Sequence, residues 1–484
     1  MKAVSKPRWA NDPFAAALMP PSGETDDERA KRVHEQSEAA RVSREIDESL
    51  QETKKLLEKR KKAIKVLLLG QAESGKSTTL KNFQLSFCPS QFKKERAAWR
   101  LIIQLNLIKS VRTILQAIQD DWEAIGPVKP TSPIPGFSRQ NGSTTGPLLA
   151  PNNQETGDKE DREPILTDAH RRLRMRLSPL ISMEENLNKK LFPHPPDPRE
   201  ISVRGGTNWK SYLTRLPREK EQKPLRPGSS QGSLPQEEGT RILVTFKEDI
   251  IALWSDPVVH RVLKRRRCNI RDMPGFFLDD VQRIAVQNYE PSDQDIMKAR
   301  LKTVGVEEYH FVMENAPEGD GDWYIYDVGG SRSLRSQWAS FFDDVQAIIF
   351  LAPLTFNLTL EEDPTVNRIE DSIIIWKAIC SNRLLEHATI ILFMNKMDVL
   401  ATALGSGLRV RDYVTSYGDL PNDVPSVVKY FRDKFKAYHK KLSPKSRSFF
   451  WHETSVIDTD ATSAILFGVR EGILRSQLSK SNVI

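Results

Sequence analysis

The stretch GQAESGKST (70–78) sets two glycines, a lysine and a serine at the spacing GxxxxGK[ST]. Gly70 and Gly75 let the backbone curl, so that loop N–H groups and the start of the next helix face an anion. Lys76 then reaches β- and γ-phosphates, and Ser77 supplies an oxygen to a divalent metal. Downstream, DVGG (327–330) follows an apolar run. Its Asp327 is placed to hold Mg²⁺ through water, and Gly330 to present its N–H to a terminal phosphate. NKMD (395–398) follows another apolar run. Asn395 can bond the N7 edge of a purine, and Lys396 can lay its alkyl stem along the ring. The Asp398 carboxylate, read as buried, can accept from both N1–H and the 2-amino group of guanine, donors that adenine lacks. The phosphate loop alone admits ATPases, kinases and GTPases; the order of the three motifs, and Asp398 in particular, narrows the choice to guanine nucleotides.

These residues need strands to carry them. AIKVLLLG (63–70) reads as a buried strand ended by glycine, and further strands are predicted at 308–313, 323–327, 346–351, 388–394 and 448–451. Helical patterns separate them, which predicts an α/β fold with a parallel, doubly wound sheet. Helical texture at 91–125, 165–191 and 240–287 interrupts that alternation. The chain therefore divides into a loose arm (1–24), a helix (25–62), a discontinuous α/β domain that carries the P-loop (63–82 and 297–484) and an inserted all-helical domain (83–296). Pro/Gly/Ser-rich stretches at 127–163 and 217–239 read as disordered insertions, and 193–207 as a further loose stretch. In the 25–62 helix, Val42, Ile46, Leu50 and Leu57 form a stripe, and KKLLEKRKKAIK (54–65) carries seven basic residues in twelve. That pattern fits a solvated face, or a partner-binding helix whose cationic end rests near anionic lipid.

With 484 residues, the chain is long enough for two or three domains. A net charge of +8 is a mild excess that suits solubility or an anionic surface. No basic stripe interleaved with aromatics argues for nucleic acid. Cys88, Cys268 and Cys380 are far apart, which excludes a disulfide framework and a zinc site. No 18-residue apolar run is read, so no membrane span is expected. The start, MKAVSKPRW, has no apolar leader core and no Met-Gly, and no cysteine precedes Cys88, so no lipidation signal is expected there.

The three motifs and the helical insertion together resemble heterotrimeric G-protein α subunits, over roughly residues 40–125, 165–191 and 240–484, which implies that the α/β domain (63–82 and 297–484) is a Ras-like P-loop GTPase domain. AESGKS (72–77) is similar to the family's GESGKS, which implies nucleotide contacts from Glu73, Ser74, Gly75, Lys76, Ser77 and Thr78. DQDIMKARLKTVGV (293–306) resembles the first switch. It implies contacts from Met297, Lys298 and Ala299, makes Arg300 a built-in arginine finger, and makes Thr303 the second Mg²⁺ ligand beside Ser77. The resemblance extends to the Asp272–Met273 pair at the nucleotide and to Gly329 and Gly330 in the second switch. In HETSVIDTDAT (452–462), Val456 is implied to offer its backbone N–H to the guanine oxygen. LTLEEDPTVNRIEDSIIIWKAI (358–379) resembles the third switch, and RSQLSKSNVI a receptor-facing tail. The insertions at 127–163 and 217–239, which have no counterpart, suggest a fungal member.

The implied activity is a GTP/GDP switch with Mg²⁺ that hydrolyses GTP to GDP and phosphate. It relays a signal from a seven-transmembrane receptor to a βγ dimer and an effector. The implied location is the cytoplasmic face of the plasma membrane, held peripherally, or the cytoplasm. Three positions depart from the family pattern. Ser331 stands where a glutamine positions the attacking water, Ala72 replaces the second glycine of the phosphate loop, and Leu334 replaces an acid of the second switch; Trp338 is kept. A serine hydroxyl is too short to reach the same water, and a methyl at Ala72 crowds its space. Nucleotide binding is therefore expected to survive and hydrolysis to fall, by one or more orders of magnitude. The competing reading is a GTP-loaded binding or scaffold module with vestigial hydrolysis, set by exchange or expression.

Overall fold

A computed structural model describes residues 23–125, 166–191, 202–204, 235–266, 268–314, 321–455 and 458–480. The chain separates into two units, residues 1–63 and 64–484. The described part of the first is one helix, α1 (Asp26–Lys62). Thr25 and Glu28 close a capping box at its start, and Lys59, Arg60, Lys61 and Lys62 fill its last turn, so both ends suit the helix dipole. None of its residues is buried; Val42, Ile46, Leu50 and Leu57 all stand exposed.

The second unit contains a six-stranded sheet in the order β4-β5-β1-β6-β7-β8. Its strands are β1 (Ile64–Leu69), β4 (Val306–Val312), β5 (Asp322–Val328), β6 (Ala347–Pro353), β7 (Thr389–Asn395) and β8 (Phe450–Glu453). All neighbouring pairs are parallel except β4 with β5, so the sheet is mixed at one edge rather than parallel throughout as expected. β1, β6 and β7 are apolar and buried along almost their whole length, as strands covered on both faces must be. On one face lie α10 (Arg368–Ser381) and α12 (Val424–Leu442), with Trp376, Phe431 and Phe435 in the core. On the other lie α2 (Lys76–Phe87) and α13 (Thr459–Lys480), with Phe83, Trp323 and Leu466. Strand order reverses at β1, so the carboxyl ends of β1, β5 and β6 open a crevice there.

A separate helical core is built on α3 (Pro89–Ile125). α4 (Asp168–Leu191), α5 (Pro235–Thr245), α6 (Lys247–Ser255) and α7 (Pro257–Arg265) pack around it. Short turns then lead through α8 (Val281–Ile284) and α9 (Asp293–Lys298) back to the sheet.

Four further expectations need correction. α3 does carry an 18-residue window apolar enough to cross a bilayer, but 78% of that window is buried, because it is the axis of the bundle. The stretch expected to be disordered to residue 239 is helical from Pro235, where proline suits a first helical turn; residues 127–163 and 217–234 lie outside the described residues. The loose stretch 193–207 contains a strand, β2 (Ser202–Arg204), paired in parallel with β3 (Lys302–Val304). Helix does not run on to 287; from Cys268 the chain is turns and short helical pieces.

Candidate functional site

β1 ends at Leu69 and the chain curls into α2. Gly70 comes so close to β6 that a Cβ would lie 2.6 Å from the Leu351 carbonyl oxygen, and Gly75 caps α2 at φ +102°. Neither position admits a side chain without strain. Glu73 adopts φ +61° despite its Cβ. What holds it is a pair of arginines: Arg300 Nη1 at 3.0 Å from one carboxylate oxygen and Arg368 Nη2 at 2.9 Å from the other. Burial pushes the Glu73 carboxyl up, but Arg300, Arg368 and Lys396 outweigh it and hold the group below its ordinary pKa. Lys76 is buried and donates to the Gly70 and Gln71 carbonyls at 2.9 and 2.8 Å. Burial lowers its pKa to about 8, against the pull of Asp327.

Three oxygens meet beside the lysine. Ser77 Oγ and Thr303 Oγ1 both donate to Asp327 Oδ2, at 2.5 and 3.1 Å, and stand 3.3 Å from each other. Asp327 Oδ1 is buried without a hydrogen-bond partner among the described residues. Burial raises the Asp327 pKa, opposed first by Lys76. Two hydroxyls and one carboxylate, whose second oxygen is the orphan, fit a hard, oxygen-seeking cation that takes its remaining ligands from phosphate and water.

Ser77 and Thr303 border a cavity of about 490 Å³; Asp327 lies outside its wall. Glu73, Gly75, Lys76 and Thr78 form the phosphate end of that wall. Met273, Met297, Lys298, Ala299 and Arg300 enter from the side of the helical core. Gly329, Gly330 and Ser331 border it as well, and Asn395, Lys396, Asp398 and Ser455 bring in the NKMD end of β7 and the loop after β8. Gly70 and Ser74 are not in the wall, nor is Asp272, which ends a short 3₁₀ turn before Met273. Val456 lies outside the described residues.

At the NKMD end one expectation changes, the burial of Asp398. Asn395 is fully buried; its amide nitrogen donates to the Ser74 carbonyl at 2.7 Å and its oxygen accepts from Thr454 Oγ1 at 3.1 Å. These bonds tie this end to the phosphate loop, and Asn395 also borders the cavity. Asp398 is exposed, not buried, with one carboxylate oxygen fixed by Ser455 Oγ at 2.7 Å. Lys396 adopts φ +63° at the start of α11 (Met397–Gly405), and burial lowers its pKa, with Glu73 opposing.

The segment after β5 rests on the phosphate loop. A Cβ on Gly330 would lie 2.3 Å from the Gln71 carbonyl carbon, so only glycine fits. Ser331 Oγ faces Ser333 Oγ at 3.4 Å. The Leu334 methyl lies 2.6 Å from where a Gly329 Cβ would be, and Trp338 Nε1 donates to the Gly329 carbonyl at 3.0 Å. Arg335 pairs with both oxygens of Asp371 on α10, at 2.8 and 2.7 Å.

Sequence reasoning missed Gln71, inside the phosphate-loop motif. Its side chain is wholly buried and turned away from the cavity; Nε2 donates to the Arg368 carbonyl at 2.7 Å and to Ser372 Oγ, both on α10. A long amide between a glycine and an alanine of the loop was the available signal. Lys81 was missed as well. It is buried on α2 and donates to the Ile296 and Ala299 carbonyls at 2.9 and 2.7 Å.

A model of the G-protein alpha subunit family matches residues 40–473 of the chain. Among similar proteins is the guanine nucleotide-binding protein alpha-4 subunit of Mycosarcoma maydis, 29% identical over 98% of this chain and 96% of its own. The human guanine nucleotide-binding protein subunit alpha-13 is 27% identical over 92% of this chain and 93% of its own. The alpha-2 subunit of Neurospora crassa is 25% identical, over 92% and 97%.

Proposed function

The chain belongs to the G-protein alpha subunit family, and from that premise we propose that it is a GTP/GDP switch with slowed hydrolysis, coupling a seven-transmembrane receptor to a βγ dimer and an effector. Family members bind guanine nucleotides, generally with Mg²⁺, and hydrolyse GTP. The observation that carries the reading is one cavity bordered by Lys76, by the Ser77 and Thr303 hydroxyls, and by the Asp398 carboxylate. It offers phosphate, metal and base contacts in line.

In this reading Lys76 and the loop N–H groups hold the phosphates, and Mg²⁺, when bound, neutralises charge on them. Ser77 and Thr303 would be its protein ligands, with Asp327 fixing both hydroxyls. Asp398 selects guanine, and its contact with Ser455 fixes the direction of one oxygen. Arg300 neutralises charge on the transferring phosphoryl group. Glu73 holds it beside the loop at 3.0 Å until then. Where a longer side chain would aim the water stands Ser331, whose hydroxyl faces Ser333, and Leu334 sets a methyl rather than an acid beside Gly329. The helix α1 supplies the exposed apolar stripe and the basic end expected of a surface for βγ and anionic lipid.

The second reading, a GTP-loaded binding module, is favoured by the same Ser331 geometry. A single-turnover time course of GTP binding and hydrolysis separates the two, run on the natural chain and on the Ser331→Gln/Ala72→Gly double variant. The expected outcome is tight, Mg²⁺-dependent GTP binding by both and hydrolysis at least about 10-fold faster in the double variant. Equal rates would sink the slowed-switch reading, and absence of guanine nucleotide binding would sink both.

A further inference from the structure

Arg300 is held from both sides of the cavity, and the two grips differ. Its guanidinium meets Glu73 of the phosphate loop. Its backbone is gripped by a residue of the helical core, Asn106, on α3. Asn106 Nδ2 donates to the Arg300 carbonyl at 2.9 Å, and Asn106 Oδ1 accepts the Arg300 N–H at 2.6 Å. One side-chain amide thus satisfies both backbone groups of one residue, as a neighbouring β-strand would. Asn106 is 3% exposed and lies between Leu105 and Leu107, both fully buried, so the amide has no freedom to swing. Gly275 presses on it from the other side at φ +81°; a Cβ there would come within 2.5 Å of Asn106 Oδ1 and 3.0 Å of Arg300 Cβ. Lys81 holds the turn just before, through the Ile296 and Ala299 carbonyls.

We infer that Asn106 is the positioning residue for Arg300: its amide fixes the arginine's backbone to the helical core, so that the guanidinium reaches the transferring phosphoryl group only while that core stands against the phosphate loop. The inference rests on the reading of Arg300 given above. A cation contributes to catalysis where charge develops, and a displacement of about 1 Å costs on the order of 100-fold in rate. Arg300 follows the end of α9 and precedes β3, a stretch with no regular backbone pairing of its own. The Asn106 clasp supplies it.

The test is a double-mutant cycle on the full chain with Asn106→Ala and Arg300→Ala, singly and together. Two quantities are read: the single-turnover hydrolysis rate, and the affinity for GDP with aluminium fluoride and Mg²⁺ compared with that for a non-hydrolysable GTP analogue. Asn106→Ala is expected to slow hydrolysis by about 10- to 100-fold. It should weaken the aluminium fluoride complex by a similar factor and leave the analogue within about two-fold, since the arginine acts on the transition state. In the Arg300→Ala background it should add nothing. Gly275→Ala keeps Asn106 but crowds its amide, and should give the same signature if Asn106→Ala folds poorly. Equal weakening of both complexes, or a full additional loss in the Arg300→Ala background, overturns the inference. Should Arg300→Ala itself leave hydrolysis unchanged, the reading of Arg300 falls and takes the inference with it. Should Arg300→Ala slow hydrolysis while Asn106→Ala and Gly275→Ala do not, the inference alone falls.

Discussion

Gln71 shows how a single side chain can set the stiffness of a loop. Its buried Nε2 fastens the phosphate loop to the first turn of α10, while its Oε1 has no partner among the described residues. An amide half-satisfied in this way is worth keeping only if the fastened end matters, because the orphaned oxygen carries a desolvation cost of about 1–3 kcal/mol. The loop peptide it anchors is the one on which Gly330 rests. Gln71→Ala is therefore expected to speed release of a fluorescent GDP analogue several-fold, with the folding midpoint changed little, since the orphaned oxygen leaves along with the bonds. An unchanged dissociation rate would show that the anchor is idle. The motif residues around Gln71 were legible in the sequence because their contacts are local or are made to a ligand of known chemistry. Gln71 and Asn106 were not, because their partners lie 297 and 194 residues away, and no local pattern encodes such a pairing.

Among elements, the strands could be read because buried parallel strands are apolar runs ended by glycine or by a polar motif. The six observed differ from expectation by at most a few residues at their ends. The three-residue β2 has no period to read, and its pairing with β3 is decided by tertiary contact. The junction of α10 and α12 carries a pH dependence. His439 on α12 lies against Trp376 and Phe449, and its buried Nε2 has no partner among the described residues. Burial, with Arg447 nearby, lowers its pKa to about 4 from 6.5. The unfolded chain therefore binds the proton first, and stability present above pH 6.5 is lost as pH falls towards 4. Unfolding free energies from denaturant titrations across that range should fall for the natural chain, by about 1–3 kcal/mol in total from this group. His439→Phe should flatten the profile. A slope that survives the substitution would assign it to other groups.

For the whole molecule, the sequence yielded the class of fold and the insertion of helices into it, since alternation of strand and helix and its interruption are both visible along the chain. It left two readings of α1. All of α1's apolar stripe stands exposed, and its last turn is four basic residues. We propose that this turn meets the anionic face of a membrane. Changing Lys59, Arg60, Lys61 and Lys62 to Gln should weaken sedimentation with phosphatidylserine-containing vesicles by about 1 kcal/mol per charge, and salt should erase the difference. Binding that ignores both charge and salt would leave the turn as an ordinary solvated surface.

β2 joins the helical core's α4–α5 connection to β3, whose middle residue is Thr303. Thr303 pairs with Val203 there, so a backbone shift that carries its hydroxyl towards or away from the cavity must either take β2 along or break that pairing.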